Sequence, residues 1–147
     1  MAINTAAGTT LSLVAGAPAT YDNAGFAALT FVAVAEIESL PEFGGTSQEI
    51  TFTALSDIIT RKAKGAFDAG SVSLGLGRDT SDAGQLLIKG GAVPTVNTVF
   101  SFKVLYPDAS AQYFTALIMS YTTNTNDVNS VIRSTALISL TNVVVEV

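Results

Sequence analysis

The stretch Val99-Phe100-Ser101-Phe102-Lys103-Val104-Leu105-Tyr106-Pro107-Asp108-Ala109-Ser110-Ala111 decides the fold class. Phe100, Phe102, Val104 and Tyr106 recur with period 2, and residues two apart on an extended chain share a face. Such an aromatic and β-branched row, with Ser101, Lys103 and Leu105 between its members, reads as a half-buried strand. Pro107 to Ser110 supply a turn. Ala111 to Tyr121 resumes the apolar run, so the two segments predict a β-hairpin.

The same rhythm extends outward in both directions. Ser71 to Gly77 sets Val72, Leu74 and Leu76 against Ser and Gly, Thr9 to Val14 alternates Leu11 and Leu13 with Thr and Ser, and Val131 to Val147 carries Ile132, Ala136, Ile138 and Leu140 on one parity. Leu29 to Glu38 is a longer strand that stops at Leu40-Pro41-Glu42-Phe43-Gly44-Gly45, and Glu49 to Leu55 puts Ile50 and Phe52 opposite Thr51 and Thr53. One segment departs from period 2: Asp79-Thr-Ser-Asp82 opens with capping residues, Leu86, Leu87 and Ile88 follow, and Lys89-Gly90-Gly91 closes it, which predicts a short helix over about 80–90. Residues 56–70, with Asp57, Arg61, Lys62, Lys64 and Asp68, read as a long connecting loop. The expectation is one mainly β domain over 1–147: a sandwich or barrel of two packed antiparallel sheets with that helix on its flank.

The composition points to association. Only 13% of the 147 residues are charged and 48% are hydrophobic, against roughly 25% charged residues in ordinary soluble domains. A surface so short of charge is reconciled with solubility if other protein chains cover part of it. A membrane-spanning helix takes about 18 apolar residues in a row, and the greasiest run, Ala27 to Ala35, is interrupted by Thr30 and ends at Glu36. No membrane partner is expected. The first eight residues hold no Lys or Arg, so no secretory signal is expected and maturation is assigned to the cytoplasm. There is no Cys and no His, which removes disulfides, thiolate metal sites and the usual proton shuttle. The net charge of −5 opposes tight nucleic-acid binding, which rests on Lys and Arg neutralising phosphates.

Each chemical constellation has a plainer reading. Glu36 and Glu38 share a face of the expected strand, a spacing that suits paired acids, but a solvated strand flank or a channel lining accounts for them better than catalysis. Asp79 and Asp82 lack the rest of a calcium loop and are read as helix caps. Gly75-Leu-Gly77 is followed by Thr80 where a dinucleotide fingerprint needs its third glycine. No nucleophile elbow, phosphate loop or zinc motif is present, so no catalytic, cofactor-binding or metal residue is assigned and the chain is read as no enzyme. Arg61-Lys62-Ala-Lys64 is the densest positive charge, a solvated loop by default and a docking element against acids of a neighbour by the functional reading.

An ordered series of segments carries a family resemblance: Val34-Ala-Glu36-Ile-Glu38-Ser-Leu40-Pro41-Glu42-Phe43-Gly44, Ile50-Thr-Phe-Thr53-Ala-Leu-Ser-Asp57, Lys64-Gly65-Ala-Phe-Asp68-Ala-Gly70-Ser-Val-Ser-Leu74, Asp82-Ala-Gly-Gln85, Phe102-Lys103-Val104-Leu-Tyr106-Pro107 and Ile138-Ser-Leu-Thr141. In this order, over most of the chain, they resemble the major tail tube proteins of long-tailed, siphophage-type bacteriophages. The resemblance implies a virion structural protein of the tail that assembles in the host cytoplasm into hexameric rings stacked as a hollow tube. It implies a tape-measure protein inside during assembly, terminator and tail-tip proteins at the ends, and double-stranded DNA passing later through an acidic bore without sequence-specific binding. It places Asp57, Arg61, Lys62, Lys64 and Asp68 in a loop that orders between rings, and it makes Glu36, Glu38 and Glu42 the candidate acids of the lumen or of contacts between subunits.

Three other readings compete. One is the tube protein of a contractile injection system, where related tubes occur. A carbohydrate-binding or capsid-decoration module would use exposed aromatics, whereas this chain has no Trp and its Phe residues fall mostly on core parity. An enzyme would have to build its cleft from Asp, Glu, Lys and Tyr alone.

Overall fold

The computed structural model describes residues 3–147. In chain order the elements are β1 (Thr10–Ala15), α1 (Asn23–Ala27), β2 (Val32–Val34), β3 (Ile37–Ser39), β4 (Thr46–Phe52), β5 (Arg61–Asp68), β6 (Ser71–Gly77), α2 (Ala83–Gly91), β7 (Phe100–Leu105), β8 (Ala111–Asn124), β9 (Arg133–Leu140) and β10 (Val145–Glu146). The larger sheet runs β2-β1-β7-β8-β9-β6-β3, with β10 added along β8, and β4 pairs only with β5 in a second sheet. Every strand pairing is antiparallel.

The alternative between sandwich and barrel resolves at Ala35-Glu36. β2 and β3 are the two end strands of the large sheet, yet only these two residues separate them. The sheet must therefore curl until its ends meet, which makes a closed barrel with few free edges. The expected single strand from Leu29 to Glu38 is thus broken. Glu36 takes φ 61°, a conformation strands do not allow, and the chain passes from pairing with β1 to pairing with β6.

The alternating residues fill the interior. Leu11, Leu13, Val72, Leu74, Leu76, Phe100, Phe102, Val104, Phe114, Ala116, Ile118, Ala136, Ile138 and Leu140 form one buried cluster, and Phe102 and Phe114 stack at 5.2 Å across β7 and β8. Burial of each large side chain is worth about 1.5–3 kcal/mol. The register of β8 against β9 slips between Ile118 and Ser120, and this bulge turns Tyr121 inward against the core while Met119 stays outside. β8 is also covered on its outer face, where Ala111 and Tyr113 pack with Phe26, Tyr21 and Phe31. Phe26 belongs to α1, a five-residue helix that period-2 reading passes over; Asp22 caps it by accepting a hydrogen bond from the Gly25 amide at 2.7 Å.

The expected helix forms as α2, with Asp82 as its N-cap. Gly84, Gln85, Ile88 and Gly91 make its buried face. A Cβ on Gly84 would lie 2.4 Å from the Ala33 carbonyl and one on Gly91 2.6 Å from the Phe100 ring, so the helix sits flush on the barrel only because both side chains are absent. Gln85 fastens the seam: its side-chain amide donates to the carbonyls of Ala35 and Gly77 and accepts from the Asp79 amide.

The expected loop over 56–70 is corrected. Its second half is β5, paired residue for residue with β4 from Phe52↔Arg61 to Thr46↔Asp68. Its polar character has a physical cause: both faces of the β4–β5 hairpin are exposed within one chain, so no core imposes an apolar row.

Candidate assembly interface

The β4–β5 hairpin is an arm rooted between Gly44 and Gly70, where φ of 132° and 82° lets the chain leave and re-enter the barrel. Its pairing sorts the side chains by face. Glu49, Thr51, Lys62 and Lys64 stand on one face, and Lys62 Nζ lies 3.4 Å from Glu49. Ile50, Phe52 and Ala63 stand on the other, with Arg61 opposite Phe52 at its outer end. An extra residue in β5, opposite Gln48, shifts the register near the root. At the tip, between Phe52 and Arg61, Leu55, Ile58 and Ile59 project into solvent at 109%, 99% and 74% exposure. A ribbon with one mainly apolar face and exposed apolar side chains at its tip has the form of a surface awaiting another chain.

The structure brings the sequence-predicted residues Asp57, Arg61, Lys62, Lys64 and Asp68 together on this one arm. Arg61 Nη2 is 2.7 Å from Asp57, and Asp68 accepts from the Gly70 amide at the root. The basic residues Arg61, Lys62 and Lys64 balance Glu49, Asp57 and Asp68, so the arm is formally neutral and the whole net charge of −5 resides in the rest of the chain. The apolar members Ile50, Phe52, Leu55, Ile58 and Ile59 are the part that the charge pattern missed. Their signal was the Ile50/Phe52 alternation in a strand with no partner row.

The three candidate acids are placed apart. Glu38 Oε2 accepts from Arg133 Nε at 2.6 Å, and this partner holds the guanidinium above its usual range. Glu36 occupies the barrel seam, where its carbonyl accepts from the Gly77 amide. Glu42 is exposed beside the arm root and has no ion-pair partner among the described residues. Asp79 and Asp82 are caps: Asp79 accepts from the hydroxyl and amide of Ser81, which lower its pKa, and Asp82 accepts from the amides of Gln85 and Ala35.

A profile described as phage tail tube protein, TTP, matches residues 8–146. This chain belongs to the phage tail tube protein family. It is a structural subunit of a tail tube, and its place is the virion tail. Sequence comparison with curated proteins gives no match. Solved structures share the fold at low identity. A chain of the tail of the empty GTA particle is 13% identical, superposes with a TM-score of 0.64, and is covered over 97% of both chains. A chain of the anti-feeding prophage baseplate is 11% identical with a TM-score of 0.65, covering 95% of this tail tube protein and 91% of the neighbour. The SPP1 tail tube is 14% identical with a TM-score of 0.60, covering 93% and 76%.

Proposed function

We propose that six copies of this tail tube protein close into a ring, that rings stack head to tail into a hollow tube, and that the β4–β5 arm is the element that reaches from ring to ring. The observation that carries this reading is the amphipathic arm, whose apolar face and tip find no cover in their own chain. The C6 symmetry applied to the GTA tail favours the six-fold ring. The work is mechanical: sheet faces and arms are satisfied by neighbouring subunits, and no bond is made or broken. A terminator, a tail-tip complex and a tape-measure protein meet the tube during its assembly in the host cytoplasm.

The bore carries DNA without holding it. Subunits whose charge lies outside the neutral arm leave acidic surface for the channel, and like charge keeps a phosphate backbone mobile. Glu36 is the candidate bore acid, Glu38 being neutralised by Arg133, and Glu42 is assigned to a contact between subunits. In the arm, Asp57, Arg61, Lys62, Lys64 and Asp68 set its shape and its docking.

Negative-stain electron microscopy of the purified protein across a concentration series, with light-scattering mass for the soluble form, tests the assembly. Rings and hollow tubes are expected. A species that stays monomeric at every concentration, including with a pre-assembled tail tip as seed, would refute it. Arg61→Glu, Lys62→Glu and Lys64→Glu together are expected to stop tube growth while the chain stays folded, and normal tubes from that triple variant would remove these cations from the contact.

A further inference from the structure

The passage of the chain from β1 to β6 at Ala35-Glu36 leaves a gap in the barrel wall. β2 accompanies β1 only from Leu11 to Leu13, and β3, beyond the break, pairs with β6 alone. Thr9 and Thr10 on one side and Ile37, Glu38 and Ser39 on the other have no ladder between them, and a cavity of about 220 Å³ opens where they meet. Its apolar lining comes from Leu11, Ile37, Leu40, Phe43 and Tyr106, side chains that belong to the core or pack against it. The turn from Ala6 to Thr9 adds a further wall. Its Thr9 amide donates to the Ala6 carbonyl at 3.1 Å, and Asn4 Nδ2 just before it donates to Asp108 at 3.1 Å.

The polar groups of this lining are already engaged, with one exception. Glu38, its only charged residue, is held by Arg133 at 2.6 Å. The Tyr106 hydroxyl donates to Gln112, and burial, with the nearby Glu146, raises its pKa so that it stays protonated. Thr10 and Ser39 are exposed, so their hydroxyls reach water. Of the lining residues, Thr9 alone has a buried hydroxyl oxygen without a hydrogen-bond partner among the described residues. Leaving a buried hydroxyl unpaired is costly, and a ligand that bonds to it recovers that cost.

We propose that this cavity binds a small uncharged molecule with a compact apolar body and a single hydroxyl, a phenol or a short aromatic alcohol, whose hydroxyl pairs with Thr9 Oγ1. The size fits: an apolar cavity of about 150 Å³ holds benzene, so the larger one here has room for a ring with one substituent. The lining selects against charge. It offers no cation to an anion, and its one carboxylate is already paired, so an ionised ligand would lose its hydration without compensation. A mostly apolar wall with one well-placed polar atom is the usual make-up of a small-molecule site.

The test is a titration of the full chain with phenol, toluene and benzoate, followed by saturation-transfer NMR below the concentration at which the protein sediments. Toluene matches phenol in shape and lacks the hydroxyl; benzoate carries a charge. Phenol is expected to bind saturably with a Kd of about a millimolar, as suits so small a ligand. Toluene should bind about fivefold more weakly, the worth of one hydrogen bond between neutral groups, and benzoate not measurably. Thr9→Val keeps the shape of the side chain and removes its hydroxyl, so it is expected to weaken phenol to the level of toluene and to leave toluene unchanged. Thermal melting checks that the variant is folded, and the phenol-to-toluene ratio is read in the parent, where no substitution intervenes. Absence of saturable phenol binding overturns the site, as do equal affinities for phenol and toluene in the parent, benzoate binding as tightly as phenol, or a Thr9→Val variant that binds phenol like the parent.

Discussion

Leu55 and Ile58 give the sharpest access to the stacking contact, because both are almost fully exposed in the single chain. Replacing them together by Ser should leave the fold untouched, since exposed substitutions away from special features change stability by no more than about 0.5 kcal/mol. Burial of each side chain against a neighbouring ring is worth about 1.5–3 kcal/mol, so the double variant forfeits roughly 4 kcal/mol per arm. One contact then weakens by about three orders of magnitude, at about 1.4 kcal/mol per tenfold. A ring that docks through six arms multiplies the deficit, which places stacking beyond any attainable concentration even after allowance for the ordering cost that the variant no longer incurs. Sedimentation and negative-stain microscopy should show rings or smaller species and no tubes, with a melting temperature unchanged from the parent. Tubes at the parent critical concentration would refute the reasoning, for the tip would then be exposed in the assembly as well.

Two predictions concern the barrel. Gln85→Leu removes three hydrogen bonds from the seam and strands the carbonyls of Ala35 and Gly77 and the Asp79 amide; a loss of about 2–4 kcal/mol is expected in denaturant unfolding, and a change under 0.5 kcal/mol would show that the seam closes without it. Asp22, Asp79 and Asp108 are held below their ordinary value of 3.8, chiefly by hydrogen bonds from Gly25 to Asp22 and from Ser81 and Ser110 to the other two. Their folded values lie below the unfolded ones, so their stabilisation is complete above the unfolded value and is lost as pH falls through the lowered folded values. Melting temperature should therefore drop on acidification below about pH 4 in the parent and drop less in the Asp22→Asn, Asp79→Asn, Asp108→Asn variant; identical acid slopes would contradict the assignment.

The parts of the fold that bury one face were legible in the sequence. β6 and β7 alternate because their inward residues meet the core and their outward ones do not, and α2 announced itself through Asp82 and the closing glycines. β5 was read as a loop because Arg61-Lys62-Ala-Lys64-Gly answers to no core of its own chain. The break at Ala35-Glu36 was hidden within the stretch read as one strand from Leu29 to Glu38, since barrel closure is a demand of the whole sheet and not of those residues. In the arm the charged residues drew notice as a cluster, and only the β4–β5 register shows how they sort: Lys62 and Lys64 share a face with Glu49, whereas Arg61 lies opposite Phe52 on the face of Ile50.

β8 between Ala111 and Ile118 is buried on both sides, against the barrel interior and against Phe26 and Tyr21 on the outside. Its amides can reach solvent deuterium only when the barrel and its outer cluster open together, so they should exchange at the rate of global unfolding. Those of β4 and β5 need only the opening of a ribbon held by its own ladder, and should be labelled long before. The subunit thus separates a part that must never open from a part that stays easily deformed until it meets a neighbour, and exchange protection gained across the arm on polymerisation would report docking at the resolution of single peptides.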